Sequence, residues 1–130
     1  MIIYCCSDLI FATKICATAR AEKLVSRPAR DLGALTNRLQ CVDDGRANDP
    51  VSALLVDMDH EAAVTLITTA RAHDPDLPIL AFGSHVAVEL LASARSSGAD
   101  TVMSRGQFTA ELPHLLKQLA GRQGNRQNDE

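Results

Sequence analysis

Two aspartates follow the most apolar stretch of the chain, in the sequence LLVDMDH at residues 54–60. A carboxylate at the end of a buried strand can bind a cation or accept a transferred group, and it can equally pair with an arginine or cap the next helix. Asp57, Asp59 and His60 could together bind a metal. However, Asp59 and His60 also suit the first turn of a helix, which is the more common role. Asp57 is therefore the first candidate for chemistry.

The adjacent cysteines Cys5 and Cys6 are the second candidate. Successive residues of a strand point to opposite faces, so one thiol should pack in the core while Cys6 projects near the edge of the sheet. A reactive thiol needs a cationic neighbour that lowers its pKa, and a neighbour in space cannot be read from the sequence. The four cysteines (Cys5, Cys6, Cys16 and Cys41) have neither CxxC nor zinc-site spacing, which favours reduced thiols in a cytoplasmic protein.

The composition limits the partners and the class of protein. The chain has 130 residues, of which 46% are apolar and 22% charged, with a net charge of -3. This is the length of one domain with an aliphatic core. The net charge does not favour nucleic acid or an anionic membrane, and no apolar run is long enough to span a bilayer. His85 has no Ser/Asp partners for a catalytic triad, so we expect it in a loop or at a helix start.

Short apolar runs alternate with stretches of helical periodicity across residues 1–120, and a polar tail that we expect to be disordered covers 121–130. Phe11, Ile15 and Ala19 should form the buried stripe of a first helix capped by Ser7 or Asp8. The predicted strands are IIYCC, KLVS, VSALLVD, LPILAFG and ADTVMS, with KLVS stopped by Arg27 and Pro28. The clearest predicted loop is QCVDDGRANDP, and the last helix is predicted from residue 109.

Five β-α units imply a parallel sheet with helices on both faces, because crossover connections are right-handed. Ligand chemistry in such sheets lies at the carboxyl ends of the strands. The residues placed there are Cys6, Ser7 and Asp8 after the first strand, Asp57 and Asp59 after the third, Gly83 and Ser84 after the fourth, and Ser104 and Arg105 after the fifth.

The segments IIYCCSDLIF, ALLVDMD, LPILAFGSH and SGADTVMSRGQF resemble the signature segments of bacterial two-component receiver domains, the CheY-like family. The resemblance implies a flavodoxin-like three-layer α/β/α sandwich, (βα)5, with strand order 2-1-3-4-5. It also implies that Asp57 occupies the position of the phosphoacceptor aspartate, and that signalling proteins such as a histidine kinase or an output protein are the partners.

At the other site positions, this chain has residues that differ from those of the family it resembles. Cys6 and Ser7, or Ser7 and Asp8 if the register shifts by one, stand where the family has a magnesium-binding acidic pair. Gly83, followed by Ser84, stands at the position of a hydroxylated residue, and Arg105 at that of a lysine. Magnesium prefers a set of oxygen ligands, and the planar arginine does not reproduce the point charge of lysine.

We therefore interpret the chain as a degenerate receiver, or pseudo-receiver: a non-enzymatic module with no cofactor and no metal, acting by protein contact. The alternative is a true receiver phosphorylated at Asp57. A third class, a thiol or hydrolytic enzyme on this fold, has less support. In the simplest structural interpretation, Asp57 is a strand-end aspartate that pairs with Arg105 or caps the next helix.

In receivers the fourth helix, fifth strand and fifth helix form the surface that changes and pairs. Val88, Leu91 and Arg95 recur here at helical spacing beside an inward stripe that we assign to Leu90 and Ala94. We expect a homodimer through this face if it is self-complementary. Periodicity alone equally allows the alternative that the broad apolar stripe is buried under the neighbouring helix.

Overall fold

Five strands form one parallel sheet in the computed structural model, which describes residues 1–40, 42–43, 46–47 and 51–128, with side chains described for 1–40 and 51–119. The strands, numbered in chain order, are β1 (Ile2–Cys5), β2 (Ser26–Pro28), β5 (Ala53–Asp57), β6 (Ile79–Gly83) and β7 (Thr101–Ser104). They lie in the order β2-β1-β5-β6-β7. Counted as five, this is the order 2-1-3-4-5, so the predicted fold class is confirmed.

Helices cover both faces of this sheet. They are α1 (Leu9–Ala21), α2 (Leu32–Leu39), α3 (Ala63–His73), α4 (Val88–Ser97) and α5 (Arg105–Asn128). Helices α1 and α5 pack on one face, and α2, α3 and α4 pack on the other. Within the described part of the chain, no helix has both the length and the apolar character needed to cross a membrane.

The alternation of side chains along the strands separates the core into two layers. Ile3, Cys5 and Val56 face the layer of α2, α3 and α4. Tyr4 and Leu55, one position along, face the layer of α1 and α5. The predicted stripe of α1 is confirmed, because its buried residues are Phe11, Ile15 and Ala19.

The second strand begins later than we predicted. Lys23 adopts a left-handed conformation with φ 60°. The amide of Leu24 donates to the carbonyl of Ala19 at 2.8 Å, and that of Lys23 to Arg20 at 3.0 Å, which closes α1 in a Schellman motif. Residues 23–24 therefore finish the helix, and β2 forms over Ser26–Pro28. A proline is tolerated there because β2 is an edge strand.

The prediction of a loop over QCVDDGRANDP is wrong in part. Two short strands, β3 (Val42–Asp43) and β4 (Arg46–Ala47), pair antiparallel within it, so their backbone groups bond to each other. Residues 41, 44–45 and 48–50 lie outside the described part of the chain. The helix α5 ends at Asn128. The predicted disorder of residues 121–130 stays a prediction, because side-chain contacts are described only as far as Leu119.

Candidate functional site

The carboxyl edge of the sheet brings a buried aspartate and an arginine together. Asp57 is the last residue of β5, and its side chain is 1% exposed. Arg105 Nη2 donates to Asp57 Oδ1 at 2.9 Å and to Asp59 Oδ2 at 2.8 Å. One nitrogen thus joins two carboxylates, and the predicted pairing of Asp57 with Arg105 is confirmed. Asp57 does not cap α3, whose N-cap is Ala62, a residue with no side-chain acceptor for the first amides of the helix.

The position of Arg105 follows from how β7 continues into α5. We predicted the last helix from residue 109, but α5 begins at Arg105, directly after the strand. Ser104 Oγ accepts a hydrogen bond from the amide of Gln107 at 3.2 Å, which is the bond a helix cap makes. Arg105 therefore lies in the first helical turn, within reach of Asp57.

A stack of aromatic rings lies beside the arginine. All three phenylalanines of the chain take part. The ring centroids of Phe82 and Phe108 are 4.1 Å apart, and those of Phe11 and Phe82 are 5.2 Å apart. The guanidinium carbon of Arg105 lies 5.5 Å from the centroid of Phe11, in the range of a cation–π contact. Hydrogen bonding to Asp59, chiefly, raises the pKa of Arg105, which keeps its charge.

The second oxygen of Asp57 contacts a thiol. Cys6 Sγ lies 3.5 Å from Asp57 Oδ2 and 3.4 Å from the carbonyl oxygen of Asp8, and its single proton can be donated to either acceptor. The amide of Asp59 donates to Asp57 Oδ1 at 3.0 Å. Burial, above all, raises the pKa of Cys6 to about 11, and it raises that of Cys5 to about 12. Both thiols therefore stay protonated near neutral pH, which is the opposite of the activation that a catalytic thiol needs. The thiol-enzyme hypothesis loses its support.

The residues after β1 differ from the acidic pair that the resemblance implies. Asp8 Oδ1 accepts the amides of Ile10 at 2.9 Å and Phe11 at 3.3 Å, so Asp8 is the N-cap of α1, as predicted. Ser7 is exposed, and Cys6 offers a protonated sulfur. Among the described residues no three His, Cys, Asp or Glu side chains cluster as metal ligands would. A guanidinium bridges the two carboxylates, and these residues do not fit magnesium.

The end of β6 also lacks the hydroxyl that the resemblance implies. Gly83 is the last residue of the strand, and a Cβ added to it would lie 3.4 Å from Leu91 and from Met58. Ser84, the next residue, accepts the amide of Val86 at 3.4 Å. Its hydroxyl is therefore engaged in the turn that leads to α4.

His60 has a structural role in the same loop. Its Nδ1 accepts the amide of Ala62 at 3.0 Å, so the other ring nitrogen, Nε2, donates to the carbonyl of Arg30 at 2.7 Å. The ring thereby ties the loop after β5 to the loop after β2. The alternative in which Asp59 and His60 bind a metal with Asp57 is not supported, because His60 bonds to backbone and Asp59 to Arg105.

The predicted interface helix, α4, is turned differently from our expectation. Leu90, which we placed in the inward stripe, is 43% exposed, whereas Leu91 is half-buried against the core. Adjacent helical positions lie about 100° apart, so apolar spacing alone did not decide between them. Val88 is 69% exposed and Arg95 is exposed. A role for Val88, Leu91 and Arg95 in an interface stays a prediction.

Sequence reasoning missed the aromatic stack. The available signal was positional: Phe82 lies one residue before the end of β6, while Phe11 and Phe108 lie in the first turns of α1 and α5. In a parallel sheet these places converge on the same edge. The stack therefore packs beside Arg105 and helps to position it against Asp57.

Comparisons with known proteins identify this fold. No family model and no curated protein sequence matches the chain. A response regulator from Thermotoga maritima matches in structure with a TM-score of 0.71 at 14% identity, over 91% of this chain and 94% of that one. The receiver domain of NtrX from Brucella abortus matches with a TM-score of 0.73 at 15% identity, over 92% and 97%. This chain spans 27% of a longer NtrX chain.

A response regulator protein from Burkholderia pseudomallei, solved with a phosphorylated aspartic acid, a calcium ion and citrate, matches with a TM-score of 0.68 at 14% identity, over 99% of this chain and 74% of that one. At such identities the likeness shows the fold alone. The chain has the fold of response regulator receiver domains, as the sequence resemblance predicted.

Proposed function

We propose that this protein is a pseudo-receiver, a signal-transduction module that acts by protein contact without magnesium-dependent phosphorylation. The observation that supports the proposal is the bond of Arg105 Nη2 to both Asp57 and Asp59. Magnesium and a phosphoryl group would have to displace this cation before Asp57 could react. The guanidinium supplies, as part of the chain, the positive charge that a metal supplies elsewhere.

The remaining site residues support the same proposal. The carboxylate of Asp8 caps α1, and Cys6 stands with a protonated thiol against Asp57. A soft, neutral thiol is a poor ligand for magnesium, which prefers oxygen. The compartment we propose is the cytoplasm, where reduced thiols persist, since Cys5, Cys6 and Cys16 are free.

The direct test is phosphorylation with a small donor. The purified protein is incubated with acetyl phosphate and magnesium, and its intact mass is measured beside that of Asp57→Ala and of a receiver domain that has the acidic pair. We expect a phosphoryl adduct on the control receiver alone. An adduct on the wild-type protein that disappears in Asp57→Ala would establish the alternative, a true receiver phosphorylated at Asp57.

A rebuilt site provides the complementary test. The variant Cys6→Asp with Arg105→Lys adds an oxygen ligand beside Asp57 and replaces the bridging guanidinium with a smaller ammonium. We expect magnesium to raise the thermal midpoint of this variant and to leave that of the wild type unchanged, because only the variant gathers like charges that a cation would relieve. An equal shift in both proteins would contradict the proposal.

We also propose a homodimer through the exposed face of α4. Leu90 and Val88 are exposed on α4, whereas Leu91 contacts the core. We expect Leu90→Glu to lower the dimer fraction in sedimentation experiments without unfolding, whereas Leu91→Glu should mainly destabilise the fold. A wild-type protein that stays monomeric at high concentration would remove the dimer from the proposal.

A further inference from the structure

A groove between α1 and the edge strand β2 is a second concave feature of the molecule. Its volume is about 390 Å³, which lies within the range of small-molecule pockets. One wall consists of α1 residues, among them Leu9, Ala12 and Ala17, and the opposite wall includes Pro28 and Ala29. The groove is therefore mostly apolar, with a helix on one side and the end of an edge strand on the other.

The charged residues of the groove all have the same sign. Arg20 and Arg30 are exposed at its lining, and no aspartate or glutamate of the described part of the chain lines it. Among the described residues, neither arginine takes part in an ion pair. A smaller cavity that shares Arg20 continues along α1 and adds Lys23 and Arg27. The positive charge is local, because the net charge of the chain is -3.

The floor and one end of the groove connect it to the rest of the fold. Tyr4, which is 8% exposed, lies on the floor. Burial, chiefly, raises the pKa of its phenol, so its hydroxyl remains a hydrogen-bond donor. Cys6 lines the groove and also contacts Asp57, so an occupant would lie beside the Asp57–Arg105 pair. The wall containing Arg30 is held by the bond from His60.

We propose that this groove binds a small amphiphilic anion, whose apolar part packs between α1 and Pro28 while its anionic group pairs with Arg20 and Arg30. An apolar groove alone would accept a neutral ligand. Two guanidinium groups without carboxylate partners among the described residues select an anion, because they offer charge-assisted, often bidentate hydrogen bonds. The concave shape suits a free molecule better than a flat membrane surface. Binding in this groove requires no phosphoryl group on Asp57.

The test uses decanoate as the probe, at concentrations below those at which it forms micelles. Titration of the ¹⁵N-labelled protein should give saturable amide shifts concentrated on α1 and on Ala29 and Arg30. The double variant Arg20→Gln/Arg30→Gln should bind about tenfold or more weakly, as expected for the loss of hydrogen bonds to a charged ligand. Ala12→Phe, which fills the groove, should abolish the shifts.

A matched control separates this site from general charge attraction. Lys14→Gln removes a cation from α1 outside the groove lining and should bind decanoate like the wild type. All variants are first checked for folding by circular dichroism and thermal unfolding. A loss in Lys14→Gln as large as in the double variant would overturn the proposal, as would shifts that do not saturate or wild-type affinity in Ala12→Phe. Binding to vesicles of phosphatidylglycerol with none to decanoate would also overturn it.

Discussion

Two arginines lie at opposite edges of the sheet, and they differ in how many of their nitrogens have hydrogen-bond partners. Arg71, at the amino edge, donates through Nε and Nη2 to the carbonyl of Gly98 at 3.0 and 2.8 Å and through Nη1 to that of Pro75 at 2.7 Å. It also pairs with Asp100 at 2.7 Å. All three of its nitrogens have partners, most of them backbone carbonyls after α3 and α4.

Arg105, at the carboxyl edge, bonds to Asp57 and Asp59 through Nη2 alone. Its Nε is buried without a hydrogen-bond partner among the described residues. Both carboxylates therefore accept a hydrogen bond from Arg105, whereas one donor of the arginine itself has no acceptor in the described part of the chain. Arg71 therefore joins helices and strands together, whereas Arg105 mainly supplies a positive charge to a buried carboxylate. A buried polar group without a hydrogen-bond partner is typical of functional or strained sites.

The largest effect should come from Arg71. Arg71→Ala removes five hydrogen bonds, counted over Gly98, Asp74, Pro75 and Asp100, and should lower the free energy of unfolding by about 3 kcal/mol. Arg71→Lys should recover less than half, because one ammonium cannot reproduce the fork. Urea unfolding measures both. Full recovery by lysine would contradict the structural role.

Arg105 should show the reverse pattern. Arg105→Ala leaves Asp57 buried without its cation and should cost about 2 kcal/mol, below the usual range for a buried pair because Arg105 is 32% exposed. Arg105→Lys should stay within about 0.5 kcal/mol of the wild type, since a single donor nitrogen carries the contact. If lysine were as damaging as alanine, the charge role of Arg105 would be wrong.

The pH dependence tests the thiol opposite Arg105. The folded pKa of Cys6, about 11, lies above its ordinary value of 9.0, so the folded state holds this proton more tightly than the unfolded state. The stabilisation is complete below pH 9 and decreases as the pH rises from 9 towards 11. We expect stability to fall less steeply in that window for Cys6→Ala than for the wild type, with the remaining slope including Cys5. Identical slopes would show that Cys6 is not buried against Asp57.

The smallest effect should come from Asp59. Its side chain is 50% exposed, so its pair with Arg105 is screened by solvent. Asp59→Asn should lower the free energy of unfolding by about 0.5 kcal/mol or less, because exposed ion pairs usually contribute little to stability. A loss comparable to that of Arg105→Ala would place the stabilising charge on Asp59 instead of Asp57.

The sequence predicted the five strands of the parallel sheet and the Asp57–Arg105 pair, because both depend on local periodicity and on strand ends meeting at one edge. It did not predict where β2 begins, because a left-handed lysine at the end of α1 has no distinct composition signal. It assigned Leu90 and Leu91 to the wrong sides, since neighbouring leucines fit either stripe. The aromatic stack depends on ring orientations that arise only from tertiary packing.

The strand order has a consequence for how the chain folds. The central pair, β1 and β5, joins Ile2 to Ala53, while β6 and β7 follow β5 in both sequence and space. The centre of the sheet thus depends on closing a loop of about fifty residues, whose entropic cost comes before any contact compensates for it. During synthesis β1 cannot pair with β5 until β5 has left the ribosome. After that, β6 and β7 can each add to the sheet in turn. Substitutions at the β1–β5 contact should therefore slow folding, and those in α5 should chiefly speed unfolding.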